Sequence, residues 1–294
     1  MNTSVTFWGT RGTIPTPGPY TTRHGGNTAC VEVRDSSGHL VILDAGTGIR
    51  NLGKQLQGSA KPDVGVRADI IVSHAHWDHI QGLPYFAPFF VKGNTLTVWG
   101  PKQGDVGMGD ILKSLMQPVV FPVPLEALAA TLEVRHVDAE PIAAHGCTIT
   151  AMRVRHPSVT LGYRLTFPDG KSLVYVTDDE LGLGGQYEVG SDWRKRFVEF
   201  IGGTDLLIRR DVHARGVSAV RGLGTLDVHR GGRACGGGRG EAAGAVPPRA
   251  RARRHGHRRD HRPRPRGRGA AQGAAGRRRG RRRHATHPLK ESGL

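Results

Sequence analysis

At 294 residues the chain has room for one large domain or two small ones. The net charge of +17 is carried unevenly: residues 209–294 hold 23 Arg, one Lys and five acids, a net +19, while the first 208 residues hold 18 bases and 20 acids, a net −2. The three cysteines, Cys30, Cys147 and Cys235, form no Cys-x-x-Cys pair, and so odd and sparse a set argues for a reducing compartment and against a disulfide framework. No apolar run reaches the length of a membrane span, and Met1-Asn2-Thr3-Ser4 does not begin a signal peptide, so a soluble cytoplasmic protein is expected.

Val5-Thr6-Phe7-Trp8 reads as a first strand, ended by Gly9, and the Gly-, Pro- and Thr-rich segment to Tyr20 as loop. Strands follow at 28–33 and at Leu40-Val41-Ile42-Leu43, the latter running into Asp44-Ala45-Gly46-Thr47-Gly48. A short helix is expected over 49–56 and a buried strand over 68–72. Further strands fall at 96–100, 132–134, 148–154, 161–165, 172–177 and 205–208, with helices at 110–116 and 193–201. Pro118 to Pro124 holds too many prolines for a regular element. Many strands with interspersed helices imply a layered α/β fold.

The strand at 68–72 ends in Ser73-His74-Ala75-His76-Trp77-Asp78-His79. Three imidazoles and a carboxylate thus gather in one turn. In extended backbone His74 and His76 point the same way. Asp78 and His79 fall where the chain turns, so they can be aimed at a second point nearby. Imidazole and carboxylate together suit zinc or a similar divalent ion. A polar surface loop that happens to contain histidines is the plainer reading. The apolar strand before the motif and the turn after it favour ligands.

His-x-His-x-Asp-His after an apolar strand resembles the signature of the metallo-β-lactamase-fold hydrolases. Residues 9–15, Gly-Thr-Arg-Gly-Thr-Ile-Pro, with Gly25-Gly26-Asn27-Thr28, narrow the resemblance to the phosphodiesterase branch, which includes tRNase Z and cyclic-phosphate phosphodiesterases. The likeness runs from about Val5 to Ile208. It implies a four-layer αβ/βα sandwich with metals at one edge between two sheets. It also implies two Zn²⁺ ions, with Mn²⁺ as the alternative, held by His74, His76, Asp78, His79, His156 and Asp178. In the resembling family His156 matches the third histidine of the first site, and Asp178 the carboxylate that bridges both ions. Asp179, its neighbour, is the other candidate by spacing. Asp44 matches an aspartate that braces the histidine loop; an N-cap or turn role is the competing reading. Asp78, His79 and Asp44 are then the groups nearest the chemistry, which is hydrolysis of a phosphodiester in a cyclic nucleotide, a small molecule or RNA. His24 reads as structural or as part of the substrate rim, and His136 and His145 as ordinary histidines. A homodimer is compatible with this reading, and no membrane partner is expected.

Beyond Ile208 the resemblance stops. The family has two further histidines there, one in a Gly-Trp-Gly-His-Ser-Thr stretch and one that completes the second metal site; neither pattern is present. Residues 209–294 contain no Phe, Tyr, Trp, Ile or Met, and such a composition implies a disordered, basic tail. Read one base out of frame, synonymous codons can be chosen so that Arg209 to Ser218 spells Asp-Ala-Met-Tyr-Thr-Pro-Glu-Glu-Tyr-Pro. In the same frame Gly222 to Asp227 can spell Gly-Trp-Gly-His-Ser-Thr. Two readings follow. In one, residues 1–208 are a truncated hydrolase domain and the rest a frameshifted translation. In the other, an inactive hydrolase body carries a genuine nucleic-acid-binding tail. Under either, the tail's histidines (His213, His229, His255, His257 and His261 among them) are not ligands. With the last layers missing, the apolar faces around 173–176 and 206–208 are expected to be exposed.

Overall fold

The computed structural model describes residues 3–59, 65–138, 140–144, 146–180, 189–211, 217–221 and 227–230. The chain divides into the units Met1–Gly244 and Ala245–Leu294, and the second lies outside the described residues.

The first sheet contains β1 (Ser4–Gly9), β2 (Cys30–Arg34), β3 (Leu40–Leu43), β4 (Arg67–Ile71), β5 (Thr95–Gly100), β6 (Thr131–His136) and β13 (Asp227–Arg230). Its order is β13-β1-β2-β3-β4-β5-β6, parallel from β3 to β6. The second contains β7 (Ile142–Ala144), β8 (Cys147–Val154), β9 (Thr160–Thr166), β10 (Ser172–Asp179), β11 (Leu206–Asp211) and β12 (Val217–Arg221), in the order β12-β11-β10-β9-β8-β7. Parallel neighbours need a crossover. Helix α1 (Gly48–Ser59) supplies it between β3 and β4, α3 (Met108–Leu115) between β5 and β6, and α4 (Trp193–Ile201) between β10 and β11. A four-residue helix, α2 (Trp77–Ile80), follows β4.

Side-chain alternation sorts these elements into layers. Val41 and Leu43 of β3 face inward with Val31 and Val33, against Ile149, Leu165, Leu173 and Tyr175 of the second sheet. Leu40 and Ile42 face the other way, with Ile49, Leu52 and Leu56 of α1 and Met108 and Leu112 of α3. On the far side Met152, Val154, Val174 and Val176 pack against Trp193 and Phe197 of α4. Helices, sheet, sheet, helix is the four-layer order the resemblance implies. Each fully buried Leu, Ile or Val contributes roughly 1.5–3 kcal/mol.

The strand and helix assignments are recovered with small shifts of boundary. Helix α1 runs to Ser59 rather than Leu56, and β7, which sequence reading missed, is a three-residue strand. Pro118 to Pro124 forms no helix or strand. Cys30 and Cys147 are free and buried. Among the described residues no helix is long and apolar enough to cross a membrane.

One expectation is overturned. The faces at 173–176 and 206–208 are not exposed: Leu173, Val174, Val176, Leu206 and Ile208 are all at 0% and Tyr175 at 1%. The inward side chains of β10 and β11 sit between the sheets, and the outward ones lie under α4. Strand pairing also continues past the point where the resemblance ends. β11 runs to Asp211, β12 pairs with it antiparallel, and β13 adds parallel to β1. Ladder bonds are made by the main chain, which every residue type except proline supplies in full. The tail expected to be disordered lies largely outside the described residues, as do His145, His213, His255, His257 and His261.

Candidate metal centre

The site forms where β3, β4 and β10 end beside one another. Past β3 the chain turns at Asp44, whose φ of 60° is left-handed. Past β4 it runs through Ser73 and His74 to His76, which is still extended at ψ 148° and caps α2. Main-chain bonds lace the two turns together: Ala45 N–H donates to His79 O at 2.7 Å, and Gly82 N–H to Ala45 O at 2.9 Å. Gly46 is required at this crossing, because a Cβ there would lie 2.3 Å from Asp78 O and 2.3 Å from Thr28 Oγ1.

Asp44 is fully buried and acts as an acceptor hub. Its Oδ1 accepts from Ser73 N–H at 2.7 Å. Its Oδ2 accepts from the Ser73 hydroxyl at 2.9 Å and from the Tyr175 hydroxyl at 2.6 Å, and lies 2.6 Å from His79 Nδ1. Burial and the nearby Asp44 charge push the Tyr175 phenol well above its ordinary value, so it keeps its proton and donates.

The side chains form two ligand groups that share one carboxylate. His74, His76, His156 and Asp178 each offer a ligand atom within 4.8 Å of the others; Asp78, His79 and Asp178 do the same. His156 reaches in from the loop after β8, with Nε2 3.0 Å from His76 Nδ1. Asp178, next to last in β10, has φ 48°, and its Oδ2 lies 3.0 Å from His79 Nε2 and 3.5 Å from His74 Nε2. Asp78 Oδ2 is 3.5 Å from His79 Nε2 and accepts the Thr13 N–H at 2.6 Å. Asp179 joins neither group; its Oδ1 accepts from Arg209 Nε at 3.1 Å. His24 lies in an exposed turn and His136 ends β6, both outside the two groups.

Burial, reinforced by the His79, His156 and His76 rings, drives the His74 pKa far down, leaving a neutral imidazole. Burial pulls His79 the same way. There Asp44 and hydrogen bonds to Asp178, Asp44 and Asp78 outweigh it and hold the pKa well above the usual value. His74 Nε2 is buried and makes no hydrogen bond among the described residues. A buried lone pair aimed at a cluster of oxygen and nitrogen donors is what a divalent cation would satisfy, so the residues present fit one.

Ser73, Thr177, Tyr175 and the Thr13 amide escaped sequence reading. The only signal for Tyr175 was its parity with Leu173 on β10, which puts it on the inward face. Thr13 gave none, since it acts through its main chain.

A family model described as a beta-lactamase superfamily domain matches residues 39–208. The Ribonuclease Z of Lachnospira eligens is 30% identical over 186 residues, which cover 61% of this chain and 53% of that protein. The Ribonuclease Z of Halobacterium salinarum is 30% identical over 175 residues, 58% of this chain and 49% of that one. The chain therefore spans about half the length of these curated relatives. The crystal structure of the short form of human tRNase Z is 21% identical, covering 69% of this chain and 75% of that one, with a TM-score of 0.45. The match over residues 39–208, which takes in every strand from β3 to β10 and most of the site, shows that the chain belongs to the beta-lactamase superfamily.

Proposed function

We propose that the protein is a metal-dependent phosphodiesterase that binds two divalent cations, zinc or manganese. The observation that carries this reading is the pair of ligand groups sharing Asp178. His74, His76, His156 and Asp178 would hold one cation, and Asp78, His79 and Asp178 the other. Bound there, the cations would supply Lewis acidity to phosphoryl oxygens and make water nucleophilic near neutral pH. Asp44 orients His79 by holding its Nδ1, and the Thr13 amide orients Asp78. The relatives named Ribonuclease Z favour RNA or another nucleotide phosphodiester as substrate. Trp77, 69% exposed between His76 and Asp78 in the chain, is an aromatic residue on which a base could stack.

The second group has three ligands against four in the first. Elemental analysis of the purified chain should therefore find one tightly held cation and a second that is lost first on dialysis against chelator. Asp178→Asn should remove both, and with them turnover of bis(p-nitrophenyl) phosphate. Well-folded protein that takes up no divalent cation would overturn the reading.

The same proposal covers the organisation of the chain. Residues 1–208 are the hydrolase domain, and the segment from Arg209 onward is a frameshifted translation of the family's last strands. In the shifted frame Asp211-Val212 allows only Met or Thr, and Met fits. A basic tail that binds RNA is the alternative, favoured by the net +19 of residues 209–294.

A further inference from the structure

Three strand ends converge on the Ser73 hydroxyl, which belongs to neither ligand group. Its oxygen lies 2.9 Å from Asp44 Oδ2, 3.0 Å from His74 Nδ1, 3.3 Å from the Thr177 hydroxyl and 3.4 Å from His79 Nδ1, whose proton goes to the closer Asp44 Oδ2. Ser73 and Thr177 are both fully buried, so these protein groups are the partners on hand. The hydrogens can be counted. A carboxylate has none to give, so Ser73 must donate its single proton to Asp44. Its oxygen is then an acceptor toward both Thr177 and His74. His74 therefore carries its proton on Nδ1, which leaves Nε2 bare. The same carboxylate oxygen, 2.6 Å from His79 Nδ1, fixes the proton there too. Both Nε2 atoms, bare on His74 and hydrogen-bonded on His79, lie beside Asp178 Oδ2, at 3.5 Å for His74 and 3.0 Å for His79.

We propose that Ser73 is a positioning residue that, with Asp44, sets the ring tautomer of one histidine in each ligand group and so couples the two sites. The coupling clause rests on the dinuclear reading above; the tautomer clause does not. His76 and His156 lie outside the relay, so the first group keeps two histidines that Ser73 does not orient. Tyr175 donates to Asp44 but orders no proton on a ring, which makes it the natural control.

The test uses the full chain with ¹⁵N-labelled histidine, and the variants Ser73→Ala, Ser73→Thr and Tyr175→Phe. In the metal-free wild type, the ¹⁵N spectrum should show His74 as the Nδ1–H tautomer. In Ser73→Ala the proton should move in part to Nε2, and Ser73→Thr should restore it. Zinc affinity, measured by chelator competition, should fall in Ser73→Ala by about 10- to 100-fold at both sites together. Tyr175→Phe should leave the His74 tautomer unchanged. A merely structural role would lower the melting temperature without moving the tautomer. An Nε2–H tautomer on His74 in the wild type would overturn the proposal, whether or not any variant folds. So would an affinity loss confined to one site. Failure of the wild type to bind zinc would sink the dinuclear reading and the coupling, while the His74 spectrum would still decide the tautomer.

Discussion

Thr13 holds a backbone conformation that its side chain disfavours. Its φ is 73°, left-handed, and β-branched residues are strained there. The side chain is exposed, while the amide donates to Asp78 Oδ2 at 2.6 Å. The strain thus serves to point one N–H at one carboxylate oxygen. Thr13→Gly removes a left-handed penalty of roughly 1–2 kcal/mol and adds about 0.5–1 kcal/mol of unfolded-state entropy. It should melt at or slightly above the wild-type temperature with metal content unchanged. Thr13→Pro removes the N–H and forces φ near −65°. It should lose the second cation selectively, as read by elemental analysis. Equal metal content in the two variants would show that the amide does not position Asp78.

Helix α2 exists only because of what surrounds it. Four residues are far too few for a stable isolated helix. The extended His76 before it, the bonds from Ala45 and Gly82, and Gly46 packed against Asp78 O hold it in place. Gly46→Ala drives a methyl into two main-chain oxygens and the Thr28 hydroxyl, with 2.8 Å left to Ala29 O and 2.3 Å to Asp78 O. Overpacking of this kind costs about 1–3 kcal/mol. The variant should show a lowered melting temperature and weakened metal retention together, because relief requires Asp78 and His79 to shift. Full metal retention in a destabilised Gly46→Ala would mean that the metal turn is held independently of the Asp44 turn.

At the scale of the whole molecule the question is what lies beyond Ile208. The first 208 residues are nearly neutral, and the excess charge falls in the last 86, which also lack most large apolar residues. Strands β11 and β12 nevertheless complete the second sheet, and the Arg209 guanidinium, at 24% exposure, pairs with buried Asp179. Sequencing the gene across the codon for Ile208 should find a one-base slip. Restoring the frame would return the Gly-Trp-Gly-His-Ser-Thr histidine, the proton donor that the resemblance implies, and should raise bis(p-nitrophenyl) phosphate turnover by about 100-fold or more, since a general acid alone is worth about 10²–10⁴. An intact frame, with RNA affinity that falls steeply with salt and disappears when residues 231–294 are removed, would establish the tail as a nucleic-acid-binding segment instead.

The sequence alone determined a layered α/β fold, the place of its buried strands and the composition of the metal turn; the order of the four layers came from the family resemblance. The unbroken apolar runs at Leu40–Leu43 and Leu173–Val176 mark strands covered on both faces, and His-x-His-x-Asp-His packs four donors into six residues. These are local patterns, and local patterns survive in one dimension. Asp178 and Asp179 are equivalent by spacing, and the tertiary structure gives them different partners: Asp178 lies within both candidate ligand groups, as the resemblance implies, while Asp179 pairs with Arg209. The tertiary structure also decided the role of Asp44, through donors 29, 35 and 131 residues away in the chain. Ser73 and Tyr175 became legible the same way, as ordinary strand residues whose hydroxyls matter because two sheets bring them to one carboxylate. The burial of 206–208 was a tertiary outcome as well. Composition past Arg209 argued against it, but packing between the sheets and under α4 needs only a main chain able to pair and the apolar residues already placed before that point.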